Sequence, residues 1–296
     1  MFGTYVDLIS TSMTSSSVIQ RAKQQQKENY YFVELDQCFI RYRMEGEGKQ
    51  TIVFATDPPA HLEDYDDLIN HLKDDYKIVI FELPGFGFSL SKITMSYQFE
   101  SCVNVLLTFL DTLNAAPYAL AFPCASGYFA LRMAEKSPDT ISHLIMLQTP
   151  DWKEEQCWKK RLDPKHIMST PIVGQLIMKT KKRDIAHQWI DFVCHTPEVG
   201  QHIQKHCAHN FDQGASYSLA SALQVSLSKQ EPQFTPLTQP AIALYGKSDR
   251  SHKTTNFHSI KKYFHSIDVF GLDDVGHLPE LEAPQRVANY IQELLG

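Results

Sequence analysis

The sequence has no run approaching the ~20 consecutive apolar residues a helix needs to cross a bilayer, so no membrane span is expected. It has no basic block, and a formal net charge of −6 makes nucleic acid an unsuitable partner. Its six cysteines, Cys38, Cys102, Cys124, Cys157, Cys194 and Cys207, show no CxxC spacing. A disulfide framework belongs to small secreted domains, so reduced thiols in a cytosol are expected instead. Met1-Phe2-Gly3-Thr4-Tyr5-Val6-Asp7 lacks a cationic stretch followed by a long apolar one. No signal peptide is therefore expected, and the chain reads as cytoplasmic. No internal repeat is visible.

What is present is enough apolar material for a large core. Of 296 residues, 43% are hydrophobic, 21% charged and 11% aromatic, which fits one sizeable α/β domain or one domain with a lid. Residues 1–29 are Ser/Thr-rich and then polar, and read as a loosely docked leader. Strands are predicted at Tyr30–Leu35, Cys38–Met44, Thr51–Ala55, Lys77–Leu83, Tyr118–Ala121, His143–Leu147, Ala241–Tyr245 and Ser266–Phe270. Helices alternate with them, at Asp64–Lys73, Phe99–Leu113, Ala125–Lys136 and Pro284–Leu295. The alternation breaks after Pro150. Residues 151–235 read as helices without strands, at Ile172–Lys179, Ile185–Cys194, Val199–His206 and Ser216–Leu227. The expected organisation is a core built from residues 30–150 and 236–296, mostly parallel in its sheet and covered on both faces, with a helical cap inserted between the two parts.

Three residues of chemical interest each follow a predicted strand. Phe122-Pro123-Cys124-Ala125-Ser126-Gly127 lies between a short apolar run and a helix, where a sharp turn would lift Cys124 above the sheet. Asp249 ends Gly246-Lys247-Ser248-Asp249, and His277 lies in Asp274-Val275-Gly276-His277-Leu278-Pro279. With Glu82-Leu83-Pro84-Gly85-Phe86-Gly87-Phe88-Ser89, Arg41-Tyr42-Arg43 before Gly46-Glu47-Gly48, and Glu282-Ala283-Pro284, these segments resemble, in order, the motifs of the capped α/β-hydrolases. The likeness spans residues 30–296, with cysteine where that superfamily usually has serine.

The resemblance implies the α/β-hydrolase fold, an eight-stranded mostly parallel sheet under a helical cap, and a Cys124–His277–Asp249 triad. Asp151, after the sixth core strand, is the alternative acid, and Ser126 a weaker candidate nucleophile. The elbow pattern G-x-S-x-G becomes Phe122-x-Cys124-x-Ser126. After the third core strand, where His-Gly-x is usual, the chain has Thr56-Asp57-Pro58-Pro59. Proline has no N–H, so the oxyanion donors implied are the backbone N–H groups of Ala125 and, by a shift of register, Asp57. Losing one such donor costs about 2.7–4 kcal/mol of transition-state stabilisation.

The implied chemistry is cofactor-independent acyl hydrolysis or acyl transfer from a small apolar ester, thioester or lactone, the acyl group being carried on CoA or a carrier in one variant. Cysteine at the elbow argues against dehalogenase or epoxide chemistry, which would call for aspartate there. Two other classes remain: a binding protein on a weakened hydrolase scaffold, and a lyase or cyclase using His277 without an acyl-enzyme. In the cap, His202, His206, Cys207 and His209 are close in sequence, but no carboxylate pattern accompanies them and no metal is expected.

Overall fold

Apolar residues alternate sides along the buried strands. Val53 and Ala55 join one hydrophobic cluster, and Ile52 and Phe54 the other. A sheet greasy on both faces must be covered on both, and helices do this here. The computed structural model of the chain describes residues 2–25 and 28–296. Met1, Gln26 and Lys27, part of the expected leader, lie outside the described residues.

The strands are β1 (Tyr30–Glu34), β2 (Phe39–Glu45), β3 (Thr51–Ala55), β4 (Lys77–Phe81), the short β5 (Phe86–Gly87), β6 (Tyr118–Pro123), β7 (Ile141–Leu147), the short β8 (Ser216–Tyr217), β9 (Ala241–Gly246) and β10 (Asp268–Leu272). Eight of them form one sheet in the order β1-β2-β4-β3-β6-β7-β9-β10. β2 alone runs against the rest. Strand order reverses between β3 and β6, and their carboxyl ends lie side by side there, with Phe54 opposite Ala121. Such a switch point is where open α/β sheets hold ligands. Asp57 and Cys124 each lie three residues beyond that pair, so the topology places them at one rim of the sheet.

The helices are α1 (Thr4–Gln25), α2 (Asp66–Leu72), α3 (Phe99–Leu113), α4 (Gly127–Lys136), α5 (Trp152–Leu162), α6 (Val173–Val193) and α7 (Pro197–Asp212), with a terminal helix at Pro284–Leu295. α3 and α4 cover one face of the sheet through Val103, Leu106, Phe109 and Leu131. α2 and the terminal helix cover the other through Leu68, Val287 and Ile291.

Three elements differ from the sequence-based reading. The leader is not loosely docked: α1 buries Leu8 to 2% exposure, together with Val18 and Ile19, and Asp7 accepts a 2.6 Å hydrogen bond from Ser221. Its Ser and Thr residues hid this, because their hydroxyls return to carbonyls of the preceding turn, as Ser17 does to Thr14. The two expected helices Ile172–Lys179 and Ile185–Cys194 are one helix, α6. The polar stretch Thr180–Asp184 contains no breaker and continues the helix with an exposed face. Finally, Ser216-Tyr217 is not helical but pairs antiparallel with Phe86-Gly87, and a short helical turn and a π-turn follow.

Candidate active site

The elbow at the end of β6 is drawn tight. Cys124 has φ +48°, a left-handed conformation that a non-glycine residue adopts only when its surroundings hold it there. The Thr149 hydroxyl donates to the Cys124 carbonyl at 2.8 Å and to that of Leu147 at 3.0 Å. Gly127 fits beside it only because it lacks a side chain: a Cβ there would lie 2.4 Å from Thr149 Oγ1. The first glycine of the usual elbow pattern is here Phe122, which is fully buried with its ring 5.4 Å from that of Phe81. The larger residue is therefore absorbed by the aromatic core. Ser126 donates its hydroxyl to the Pro123 carbonyl, so it is engaged as a structural tie.

Cys124, His277 and Asp249 come together. A ring nitrogen of His277, Cys124 Sγ and a carboxylate oxygen of Asp57 all lie within 4.8 Å of one another. The other nitrogen, Nδ1, is 2.6 Å from Asp249 Oδ2. Asp249 is held in turn by the Ser251 N–H at 2.8 Å and by Gln148 Nε2 at 2.7 Å. Burial disfavours its ionised form, but the His277 charge and the bonds from both neighbouring histidines outweigh this and hold its carboxyl far below the ordinary range. Asp151, the alternative acid, caps α5 by accepting from Glu154 N at 2.8 Å and pairs with Lys262 at 3.1 Å. His277 bonds Asp249 instead.

Asp57 is placed differently from expectation. Its N–H points at the Tyr65 hydroxyl, 3.3 Å away, and so is engaged outside the site. Its carboxylate faces His277, with Oδ2 3.4 Å from Nε2. The loop thus brings a negative charge where a donor was anticipated, while Ala125 lines the cavity. Glu82, at the acidic position of the following motif, is structural: it pairs with Arg41 at 3.2 Å and His61 at 3.1 Å and accepts from Phe88 N at 2.7 Å.

Several participants were not visible in the sequence. His252 packs against the rings of both Trp158 and His277, at 5.1 Å and 5.2 Å, and its Nδ1 is 2.9 Å from Asp249. Burial holds it neutral, with its pKa lowered to about 4. Trp189 meets the His277 ring edge to face at 5.4 Å. Glu155 of α5 is fully buried, and neither carboxylate oxygen has a hydrogen-bond partner. Burial pushes it, and Glu280 nearby, up to about 8. The spacing Trp152-Glu155-Trp158 was the available signal, an acidic residue on the aromatic stripe of a helix.

Burial and these acids together set the electrostatics. The Cys124 thiol is pushed up to about 12, chiefly by burial and then by the charges of Glu155 and Asp57, with His277 acting the other way. Burial alone would lower His277, but Asp249 and Asp57 reverse this and hold it well above the ordinary histidine value. Burial and the nearby acids thus favour the neutral thiol, while the two aspartates favour the charged form of the ring.

Cys124 and Asp57 open onto a cavity of about 530 Å³ between the sheet rim and helices that include α5 and α6. Its walls are mainly apolar, with Phe99, Leu106, Phe129, Trp189 and Leu223 among them. That suits a ligand with an apolar body and one polar end. No helix among the described residues is long and apolar enough to cross a membrane.

The model of a family described as having the alpha/beta hydrolase fold matches residues 58–166. An uncharacterized hydrolase, YugF, of Bacillus subtilis (strain 168) is 21% identical over 253 residues, covering 84% of this chain and 90% of its own. A thermophilic esterase from Thermogutta terrifontis superposes with a TM-score of 0.69 at 20% identity, over 90% of this chain and 98% of that one. An epoxide hydrolase of Bacillus megaterium does so with a TM-score of 0.69 at 16% identity, over 90% and 99%. The strand order, the helical layers and these likenesses agree: the chain has the α/β-hydrolase fold.

Proposed function

We propose that the protein is a hydrolase or acyltransferase acting on a small ester, thioester or lactone through Cys124, His277 and Asp249. The observation that carries this is the left-handed elbow presenting Cys124 beside a histidine whose far nitrogen is 2.6 Å from a buried aspartate. In the productive step the neutral imidazole form of His277 takes the thiol proton at Nε2 and Sγ bonds to the carbonyl carbon. His277 then returns the proton to the departing alcohol or thiol, leaving an acyl-cysteine that water or an acceptor resolves. Ala125 N–H is the oxyanion donor in this scheme, and the insertion helices form the lid over an apolar acyl group.

The test is to incubate the protein with a panel of activated thioesters and weigh it intact, beside Cys124→Ala. Under this reading an acyl adduct or turnover appears in the parent and vanishes in the variant. A parent that neither acylates nor turns over any member would sink it.

A second reading draws on a different observation, the Asp57 carboxylate 3.4 Å from Nε2. A carboxylate there disfavours a neighbouring oxyanion but can shuttle a proton with the imidazole, as lyase or cyclase chemistry requires. Such an activity survives Cys124→Ala and is lost in His277→Ala.

A further inference from the structure

Away from the cavity, two histidines of α7 converge on one buried carboxylate oxygen. His206 Nδ1 is 2.6 Å from Asp64 Oδ1, and His202 Nε2 is 4.0 Å from the same atom. The three ligand atoms lie within 4.8 Å of one another. The histidines are four residues apart, so they share a helix face, and their ring centroids are 4.3 Å apart. Asp64 comes from the 3-10 turn Leu62–Tyr65 of the core, 142 residues from His206. Its side chain is 0% exposed, and its second oxygen accepts from the His61 N–H at 2.7 Å, which fixes its orientation.

As an ion pair this arrangement has one member too many. A single imidazolium neutralises Asp64, and a second positive ring set edge to face against the first would be repelled. As a ligand set, each group has a use. Nitrogen and oxygen atoms bound to zinc at ~2.0–2.2 Å in tetrahedral geometry stand about 3.3–3.5 Å apart. The observed 2.6 and 4.0 Å straddle that spacing, so small side-chain rotations close the site. His202 is 57% exposed, leaving the outer side open for water to complete the coordination.

We infer that Asp64, His202 and His206 bind a divalent cation of the zinc class, which staples α7 to the core. Two imidazoles and one carboxylate favour zinc, nickel, cobalt or copper over magnesium or calcium, which prefer all-oxygen shells. α7 packs on α6, and α6 presents Trp189 and Phe192 to the cavity, so a bound cation stiffens the helical layer over the active site. This inference is independent of the proposed function.

The test is calorimetric titration of the full chain, first cleared of metal with a chelator, using Zn²⁺ alone and then Mg²⁺ alone. His202→Ala is the decisive variant, because it is exposed and keeps the 2.6 Å pair between His206 and Asp64. Cys124→Ala controls for binding at the cavity cluster. One equivalent of Zn²⁺ is expected in the parent and in Cys124→Ala, with binding weakened more than about tenfold in His202→Ala, since even outer-shell partners of a metal site carry that much. Thermal unfolding should shift upward with Zn²⁺ only in the proteins that bind it. Equal Zn²⁺ affinity in parent and His202→Ala overturns the inference, as does Mg²⁺ binding as tight as Zn²⁺.

Discussion

Asp57 Oδ2 lies 3.4 Å from Nε2 of His277, whose other nitrogen is 2.6 Å from Asp249. One imidazole is thus held between two carboxylates. Both favour its charged form, and Asp57 also adds to the burial that raises the Cys124 thiol.

Asp57→Asn removes one of those acids. It withdraws a negative charge that raises the Cys124 thiol and frees the adjoining ring nitrogen. Since the thiolate is the nucleophile, alkylation of Cys124 by iodoacetamide near neutral pH should quicken by about tenfold, the effect of one pKa unit. The rate is best read in a Cys157→Ser background, because Cys157 is exposed. An unchanged rate would show that Asp57 does not set the thiol's state.

The buried glutamates predict how stability responds to pH. Glu155 and Glu280 titrate at about 8 in the folded chain, against 4.5 for the free side chain. Between those values the native state holds protons that the unfolded chain has released, so stability falls as pH rises. His252, lowered to about 4 from 6.5, works in the opposite direction but only below 6.5. Asp249 loses its contribution only as pH falls through the acid range. His277, raised in the folded state, adds to the decline above 6.5. From pH 6.5 to 8, therefore, Tm should drop, each group contributing a slope of up to about 1.4 kcal/mol per pH unit. Glu155→Gln should flatten that slope and raise Tm at pH 8; a variant with the parent's slope counts against a protonated Glu155.

Gly127→Ala probes the elbow. The added methyl meets Thr149 Oγ1, whose hydroxyl donates to the Cys124 carbonyl. Overpacking of this kind costs about 1–3 kcal/mol, and here it also displaces the turn that carries the thiol. Urea unfolding should show the loss, together with slower Cys124 alkylation.

Leu8→Ala probes the first helix. A side chain 2% exposed and packed into the main core costs about 2–5 kcal/mol when truncated to alanine. Denaturant midpoints measure this directly; a loss under about 0.5 kcal/mol is what an exposed position would give.

Much of the architecture could be read from local signals. Each buried strand is a short apolar run between turn residues, and Cys124, Asp249 and His277 each follow such a run, in the order that the resemblance to the α/β-hydrolases implies. What escaped notice depends on contacts between distant segments. Whether Asp57 offers its N–H or its carboxylate is decided by Tyr65, whose hydroxyl takes the N–H. His252 looks like one more loop histidine until Trp158 and His277 pack against it. His202 and His206 lack a carboxylate nearby in sequence, because Asp64 reaches them from the opposite half of the chain. The serine-rich opening reads as loosely docked because its polar side chains satisfy themselves within the helix, while Leu8, Val18 and Ile19 carry the docking.

The tryptophans have a further consequence. The chain has three, and two of them, Trp158 and Trp189, lie against the ring of His277. A protonated imidazole accepts an electron from an excited indole and dims its emission, whereas a neutral one does so far less. The molecule therefore carries its own optical gauge. Intrinsic fluorescence should brighten as alkali removes the His277 proton, giving a label-free signal for its charge in every variant above.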